Sequence, residues 1–245
     1  HNYENFGTFY RCFYLGNYLS RLDFEVTLVC ASRKNFDLAV QARNVNDHFR
    51  VITLPRIRMH EYHTGHLLRM LFNMGIVLLD QYDMMHSFAV AQPTTGMPAL
   101  AARFFRRKPI VVDWDDDWSC GLGRCHPYPV WKAVSFLEEG VPRFASRITV
   151  VSEYLKDRCL KCGYPAAKLT KIPNGANIDA IQPMDRVLAR RFLNISQEEK
   201  IILSMGHTYM DSLDILLSAH EKVIREDAKI KLYFTHHPAI DQTWC

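Results

Sequence analysis

Residues 147–173 read RITVVSEYLKDRCLKCGYPAAKLTKIP. The β-branched run RITVVS gives way to a helical pattern that ends at a glycine, and KLTKIP then returns to strand character until Pro173 stops it. Strand, helix and strand in so short a span make a βαβ unit, which joins parallel strands. The same alternation runs upstream. GTFYRCFYLGNYLSRL reads as a helix, with Phe9, Phe13, Leu15, Leu19 and Leu22 supplying much of its apolar surface. FEVTLVC has the unbroken apolar character of a strand covered on both faces. A polar stretch leads to RVITLP, a strand stopped by Pro55, and a long helix is expected over about residues 61–79. DMMHSF is the next short strand. PTTGMPALAARFFRR carries Pro and Thr at its start and arginines at its end, as the helix dipole favours. PIVVDWD then reads as a strand and PVWKAVSFLEEGVPRF as a helix.

The predicted fold is therefore α/β: a doubly wound, mostly parallel, Rossmann-like sheet with helices on both faces. Such a sheet normally opens with a strand, whereas this chain opens with a Gly-containing loop and a helix. The first strand is expected upstream of His1. After Pro183 the texture changes to the charged segment MDRVLARRFLNISQEEK, and KIILSMG restarts the strand–Gly–helix pattern, followed by a helix and KIKLYF. The expected organisation is a first domain over 1–184, a linker over 185–198, and the opening of an incomplete second α/β domain over 199–245.

Composition narrows the function classes. The chain has 245 residues, of which 48% are apolar and 23% charged, the balance of a soluble globular protein. Its net charge of +4 falls short of the dense Lys/Arg loading of a nucleic-acid binder, so no nucleic-acid partner is expected. It suits an anionic ligand such as a nucleotide diphosphate, or an acidic membrane surface. The most apolar helix, LLRMLFNMGIVLLDQY, is interrupted by Arg69 and Asn73 and reads as a covering helix rather than a membrane span. No charged-then-apolar leader is visible, and the seven cysteines are an odd number. Cys159 and Cys162 form a CxxC inside a helical pattern, where small apolar residues one turn apart are expected. Cys120 and Cys125, with His126 adjacent, could join them in a zinc site, but the thiols read as reduced core or surface groups. A cytoplasmic setting and no bound metal are the expectations.

In an open parallel sheet, ligands bind outside the carboxyl ends of the strands. The informative residues are those just after each strand: Gly7, His86, Asp113 to Asp117, Ser152, Asn174, Gly175, Gly206 and His207. Residues 108–118, KPIVVDWDDDW, are the densest case. Three readings compete: a DxD that holds a divalent cation, a phosphoryl-transfer nucleophile, or a carboxylate rim facing a sugar. The second places its motif on the first core strand of haloacid-dehalogenase-like enzymes, whereas here it follows several βα units. Asp113 and Asp115 alternate along the strand end and should point to the same side. Asp116 and Asp117 suit a helix cap or a solvated loop.

ITVVSEYLKDRCLKCGYPAAKLTKIPNGANIDAIQP resembles a stretch of the family 4 (group 1) glycosyltransferases of the GT-B fold. There a V-S-E/x-x-L strand–helix unit is followed by G-x-P, K-I/V, I-P-N-G-V-D and a later proline. Pro173, Asn174 and Gly175 match directly, Asn177 stands at the usual Asp, Ile181 at the usual Phe and Pro183 at the usual Pro. KIILSMGHTYMDSLDILLSAHEKV resembles the start of the donor domain, whose paired-glutamate motif would lie further on. The resemblance implies transfer of a sugar from a nucleotide-diphosphate-sugar to a glycan or lipid acceptor, with retention at the anomeric carbon. It implies no metal and no cofactor other than the nucleotide-sugar co-substrate, because helix N-termini and basic side chains neutralise the diphosphate.

The family's strand equivalent to PIVVDWDD commonly ends in His-Asp, where Asp115 and Asp116 stand. The resemblance therefore makes Asp115 and Asp113 the catalytic candidates. Gly7, His86, Trp114, Asp116, Ser152, Asn174 and Gly175 become substrate-side candidates, with Trp114 stacking on a pyranose, and Gly206 and His207 donor-side candidates. Two departures stand out: Gly206-His207 replaces Gly-Arg, and Asp211-Ser212 replaces Lys-Gly. They keep open a non-catalytic relative that binds nucleotide or glycan, and this piece alone is expected to be inactive. The basic cluster Arg103, Arg106, Arg107 and Lys108 is a candidate for peripheral membrane contact, set against the plainer reading of a solvated helix end.

Overall fold

The computed structural model describes residues 4, 7–34, 36–57, 66–122, 128–205 and 210–235, and the chain divides into two compact units, His1–Ala176 and Asn177–Cys245. The first unit starts with α1 (Gly7–Ser20), which buries Phe9, Cys12, Gly16 and Ser20 along one stripe of three- and four-residue spacing. Gly16 is needed there, since a Cβ would sit 3.1 Å from the Phe49 ring. The apolar stripe expected from the sequence is therefore only half right. Phe13 packs on this core, but Leu19 and Leu22 are exposed, because the helix turns its smaller residues to the sheet.

β1 (Val26–Ala31) pairs in parallel with β4 (Phe49–Leu54). Between them lie β2 (Phe36–Asp37) and β3 (Gln41–Asn46), and β3 forms an antiparallel hairpin with β4. The sequence offered only a polar stretch here. β3 is an almost wholly exposed edge strand, so no apolar alternation marks it. β5 (Arg56–Ile57) pairs with β2, and α2 (His66–Leu79) packs on α3 (Pro93–Phe104). The polar interruption of α2 faces inward: Arg69 is buried and Asn73 Nδ2 donates to the Thr94 carbonyl at 2.7 Å, while Leu67, Leu71 and Leu79 are exposed. The expected start of this helix before residue 66 lies outside the described residues.

β6 (Met85–Phe88), β7 (Ile110–Trp114), β8 (Arg147–Val150) and β9 (Leu169–Lys171) form an all-parallel sheet in that order. Helices cross between them, as parallel pairing requires. α3 joins β6 to β7, α4 (Trp118–Leu122) and α5 (Tyr128–Gly140) precede β8, and α6 (Glu153–Lys161) joins β8 to β9. α3 can lie close because its buried residues include the small Ala99, Ala101 and Ala102, and because Gly96 leaves room for the Val90 carbonyl, 2.4 Å from where a Cβ would sit. Ile110, Val112, Ile148 and Val150 are fully buried beneath these helices. α6 ends at Gly163, whose φ of +83° suits glycine, and Tyr164 N–H donates to the Cys159 carbonyl at 3.1 Å to close the helix. This is the wound α/β fold that the alternation implied.

The second unit holds α7 (Arg186–Phe192) and a parallel pair, β10 (Lys200–Ser204) and β11 (Ile230–Phe234), joined by α8 (Met210–Glu226). None of its described residues is buried. Among the described residues no helix is long and apolar enough to cross a membrane.

Candidate functional site

The parallel strands of the second sheet bring their carboxyl ends to one edge, and β7 lies inside it with β6 and β8 as neighbours. Side chains alternate along a strand. Asp113 accordingly shares a face with Phe88 and Thr149, its partners in register, while Trp114 points the other way. On the Asp113 face lies α1, whose only charged residue is Arg11. Arg11 Nε donates to Asp113 Oδ1 at 3.0 Å and Arg11 Nη2 to Asp113 Oδ2 at 2.9 Å, a bidentate pair. Thr149 Oγ1 donates to the same Oδ2 at 2.5 Å. Both oxygens of Asp113 are therefore occupied, and its side chain is 0% exposed.

Arg11 reaches further. Its Nη2 donates to the Ile172 carbonyl at 2.9 Å, and its Nη1 to the Pro173 carbonyl at 3.3 Å and Asn174 Oδ1 at 3.2 Å. One guanidinium thus ties the first helix, the central strand tip and the loop after β9. The geometry uses the planar fork of arginine, and lysine could not supply it.

Asp115 is placed differently. Thr8 Oγ1 donates to its Oδ2 at 2.9 Å, while Oδ1 is buried and has no hydrogen-bond partner. Burial pushes its pKa above the usual carboxylate value. The Thr8 hydrogen bond opposes that rise, and the neighbouring Asp113 and Asp116 charges add to it. His86 Nε2 is also buried without a partner and stands 3.9 Å from Asp113 Oδ2. Burial lowers the His86 pKa, against the pull of Asp113, so its imidazole is neutral at ordinary pH. A carboxylate oxygen and an imidazole nitrogen, both desolvated and unsatisfied, are what a hydroxyl-bearing ligand could complete.

The loop beyond is held from the opposite face. Glu138 is buried and accepts from Trp118 N–H at 2.8 Å and Ser119 N–H at 3.0 Å, which satisfies the first turn of α4. Arg158 pairs with Asp117, donates to Ser119 Oγ at 2.6 Å and to Glu138 Oε2 at 3.2 Å, and stacks 5.2 Å from the Trp114 ring centre. Asp117 also accepts from Cys120 N–H at 3.2 Å, a helix cap.

The structure thus gathers Asp113, Asp115, His86 and Asn174 with Thr8 and Arg11. It does not bring Trp114 to the site. That ring is 3% exposed and belongs to the core beside Tyr164, because the residue next to Asp113 must face the other side of the sheet. Asp113 is tied into the structure rather than left open to a ligand, since Arg11 and Thr149 occupy both its oxygens, and a cation bridging Asp113 and Asp115 would compete with them. Gly7 is exposed, with nothing within 4 Å of where a Cβ would stand, so no close packing calls for glycine there. Asp116 and Gly175 are exposed. Ser152 caps α6, its Oγ accepting from Leu155 N–H at 3.3 Å. Ser152→Ala should therefore cost about 1 kcal/mol in a denaturant titration and leave ligand binding unchanged. Gly206 and His207 lie outside the described residues. Among the described residues no group of three or more His, Cys, Asp or Glu is placed to hold a metal ion. Arg11, Thr8 and Thr149 were missed by sequence reasoning. A lone charge in an otherwise uncharged, aromatic-rich helix was the available signal for Arg11.

A wound parallel sheet with desolvated polar groups at its carboxyl tips defines a class of ligand-binding α/β proteins. Within it, residues 7–180 match the model of Glycosyltransferase Family 4, and the chain belongs to that family. Among solved structures, it is similar to a protein assigned as UDP-N-acetylglucosamine 2-epimerase from Listeria monocytogenes, with TM-score 0.57 and 15% identity over 94% of this chain and 60% of that one. HepE of Anabaena in complex with UDP gives TM-score 0.43 and 15% identity over 78% of this chain and 57% of that one. The chain therefore spans less than two thirds of the length of either. The first likeness is one of fold, that of GT-B proteins. A search of the curated proteins by sequence gave no match.

Proposed function

We propose that this chain carries the acceptor side of a glycosyltransferase that moves a sugar from a nucleotide-diphosphate-sugar to a hydroxyl of a glycan or lipid, with retention and without a metal. The observation that carries this reading is Asp115 Oδ1, a buried carboxylate oxygen with no partner at a strand tip beside Thr8. In this proposal Asp115 accepts the hydrogen bond, and then the proton, of the incoming hydroxyl. As the proton leaves, the hydroxyl oxygen bonds to the anomeric carbon on the face from which the nucleoside diphosphate leaves with the electrons of the broken C–O bond. Neutral His86, 3.9 Å from Asp113 Oδ2, is a second polar contact for the sugar. Asp113 and Arg11 act as positioning residues that fix the β7 tip against Asn174. Membership of the family supports transferase chemistry in general. The unpartnered Asp115 oxygen supports the hydroxyl acceptor.

The test is a transfer assay of the whole polypeptide against a panel of UDP- and GDP-sugars, with the product anomer read by NMR and a chelator added in parallel. Retained configuration and activity undiminished by the chelator are expected. An inverted product, or loss of activity on chelation, would overturn the reading. The replacement of Gly-Arg by Gly206-His207 favours a second reading, a non-catalytic relative. Under that reading the same panel gives binding and no product.

A further inference from the structure

We propose, on the reading of Asp115 as the group that meets the acceptor hydroxyl, that Arg158 is its positioning residue and holds it from the face of the sheet opposite α1. Arg158 grips the chain on both sides of Asp115. Its guanidinium stands 5.2 Å from the ring centre of Trp114, the residue before, and its Nη1 donates to Oδ1 of Asp117, two residues after. Its Nη2 donates to Ser119 Oγ at 2.6 Å, to Glu138 Oε2 at 3.2 Å and to Glu139 Oε1 at 3.4 Å. A planar fork can stack on a ring and donate outward in several directions at once.

Little else fixes Asp115. The register of β7 on β8 ends at Trp114 and Val150, one residue short of it. Thr8 holds one of its oxygens and the other has no partner. The last torsion of an aspartate side chain is broad, so the direction of that free oxygen depends on how firmly the backbone beneath it is held.

Helix capping does not account for Arg158. Glu138 already accepts from the Trp118 and Ser119 N–H groups, and Asp117 accepts from Cys120 N–H. Those carboxylates complete the first turn of α4 without the guanidinium. What Arg158 adds is a tie across the turn, from the indole to Asp117 and Ser119, which fixes the segment that contains Asp115. The tie is sheltered: the Arg158 and Asp117 side chains are each 17% exposed and that of Glu138 is 1%, so solvent screens it little. Three carboxylates, those of Asp117, Glu138 and Glu139, converge on this one cation. Without it their mutual repulsion would open the turn.

The test is Arg158→Lys, which keeps the charge but cannot span the indole, Asp117, Ser119 and Glu138 together. The first readout needs no transfer: the Asp115 carboxyl carbon is followed by 13C NMR as pH is lowered in the 245-residue chain. Burial holds the wild-type carboxyl above 3.8, helped by the Asp113 and Asp116 charges and opposed by the Thr8 hydroxyl. A loosened turn lets water reach Asp115, so its pKa should fall toward 3.8 in the lysine variant. In the whole polypeptide, kcat for transfer should fall about 10–100-fold while KM stays within about threefold. Asp117→Asn cuts the same tie while Glu138 still holds Arg158, and it should lose kcat in the same way; its turnover decides the matter if the lysine variant does not fold. An unchanged Asp115 titration in a folded lysine variant overturns the proposal, and so does wild-type kcat in Asp117→Asn. A lowered titration with no product even from the wild type would instead sink the transferase reading and leave the positioning of Asp115 standing.

Discussion

Arg11→Met is expected to lower the stability of the first unit by about 3–5 kcal/mol in urea, with the transition followed by tryptophan emission. Arg11 and Asp113 have side chains only 8% and 0% exposed, so the pair lies outside the solvent-screened regime in which ion pairs count for little. Removing the guanidinium leaves a carboxylate buried with Thr149 as its remaining donor. It also removes the donor from the part-buried Ile172 carbonyl and releases the exposed Pro173 carbonyl and Asn174. A buried charge that has lost its partner costs far more than the net worth of the intact pair. Arg11→Met combined with Asp113→Asn should therefore be less destabilised than the sum of the single changes, by roughly 1–3 kcal/mol. Additive losses would show that the two side chains do not act as a unit.

Asp115→Asn is expected to cut transfer roughly 10²–10⁴-fold while leaving the fold intact, because an amide cannot take the proton of the acceptor hydroxyl. Steady-state turnover by the transfer assay and a thermal melt read the two halves of this expectation. Undiminished turnover would remove Asp115 from the chemistry. The pH dependence carries a sign. Burial raises the folded pKa of Asp115 above 3.8, so the wild-type rate should climb as pH rises through that raised value. The rate should then level off once the carboxylate is formed. Stability runs the other way. A carboxyl with a raised folded pKa binds its proton more tightly in the native state than in the unfolded chain. Its contribution is greatest below the unfolded value and declines as pH rises through the folded one. The asparagine variant is spared this decline, so any stability advantage it has over wild type should appear near neutral pH and vanish in acid.

The site and the fold were legible to different degrees. The alternation that defines β1, β4 and β6 to β9 is a local property of apolar spacing, and it was plain. β3 escaped because an exposed edge strand carries no apolar face. The inward turn of Arg69 and Asn73 on α2 escaped because the rule that polar residues face water fails where a neighbouring helix offers a carbonyl, here that of Thr94.

By itself, the sequence determined that strands and helices alternate, that the sheet is mostly parallel, and that Asp113 and Asp115 share one side of a strand tip while Trp114 takes the other. Each of these follows from a periodicity of two or of 3.6 residues within one segment. Only the tertiary structure decided which side is the core and which carboxylate is free. Arg11 and Asp113 stand 102 positions apart, and Thr8 and Asp115 stand 107 apart. No local pattern encodes such pairs, because they arise when separate elements pack and a buried charge must find its counter-ion. The fold thereby commits Asp113 to Arg11 and leaves one oxygen of Asp115 without a partner.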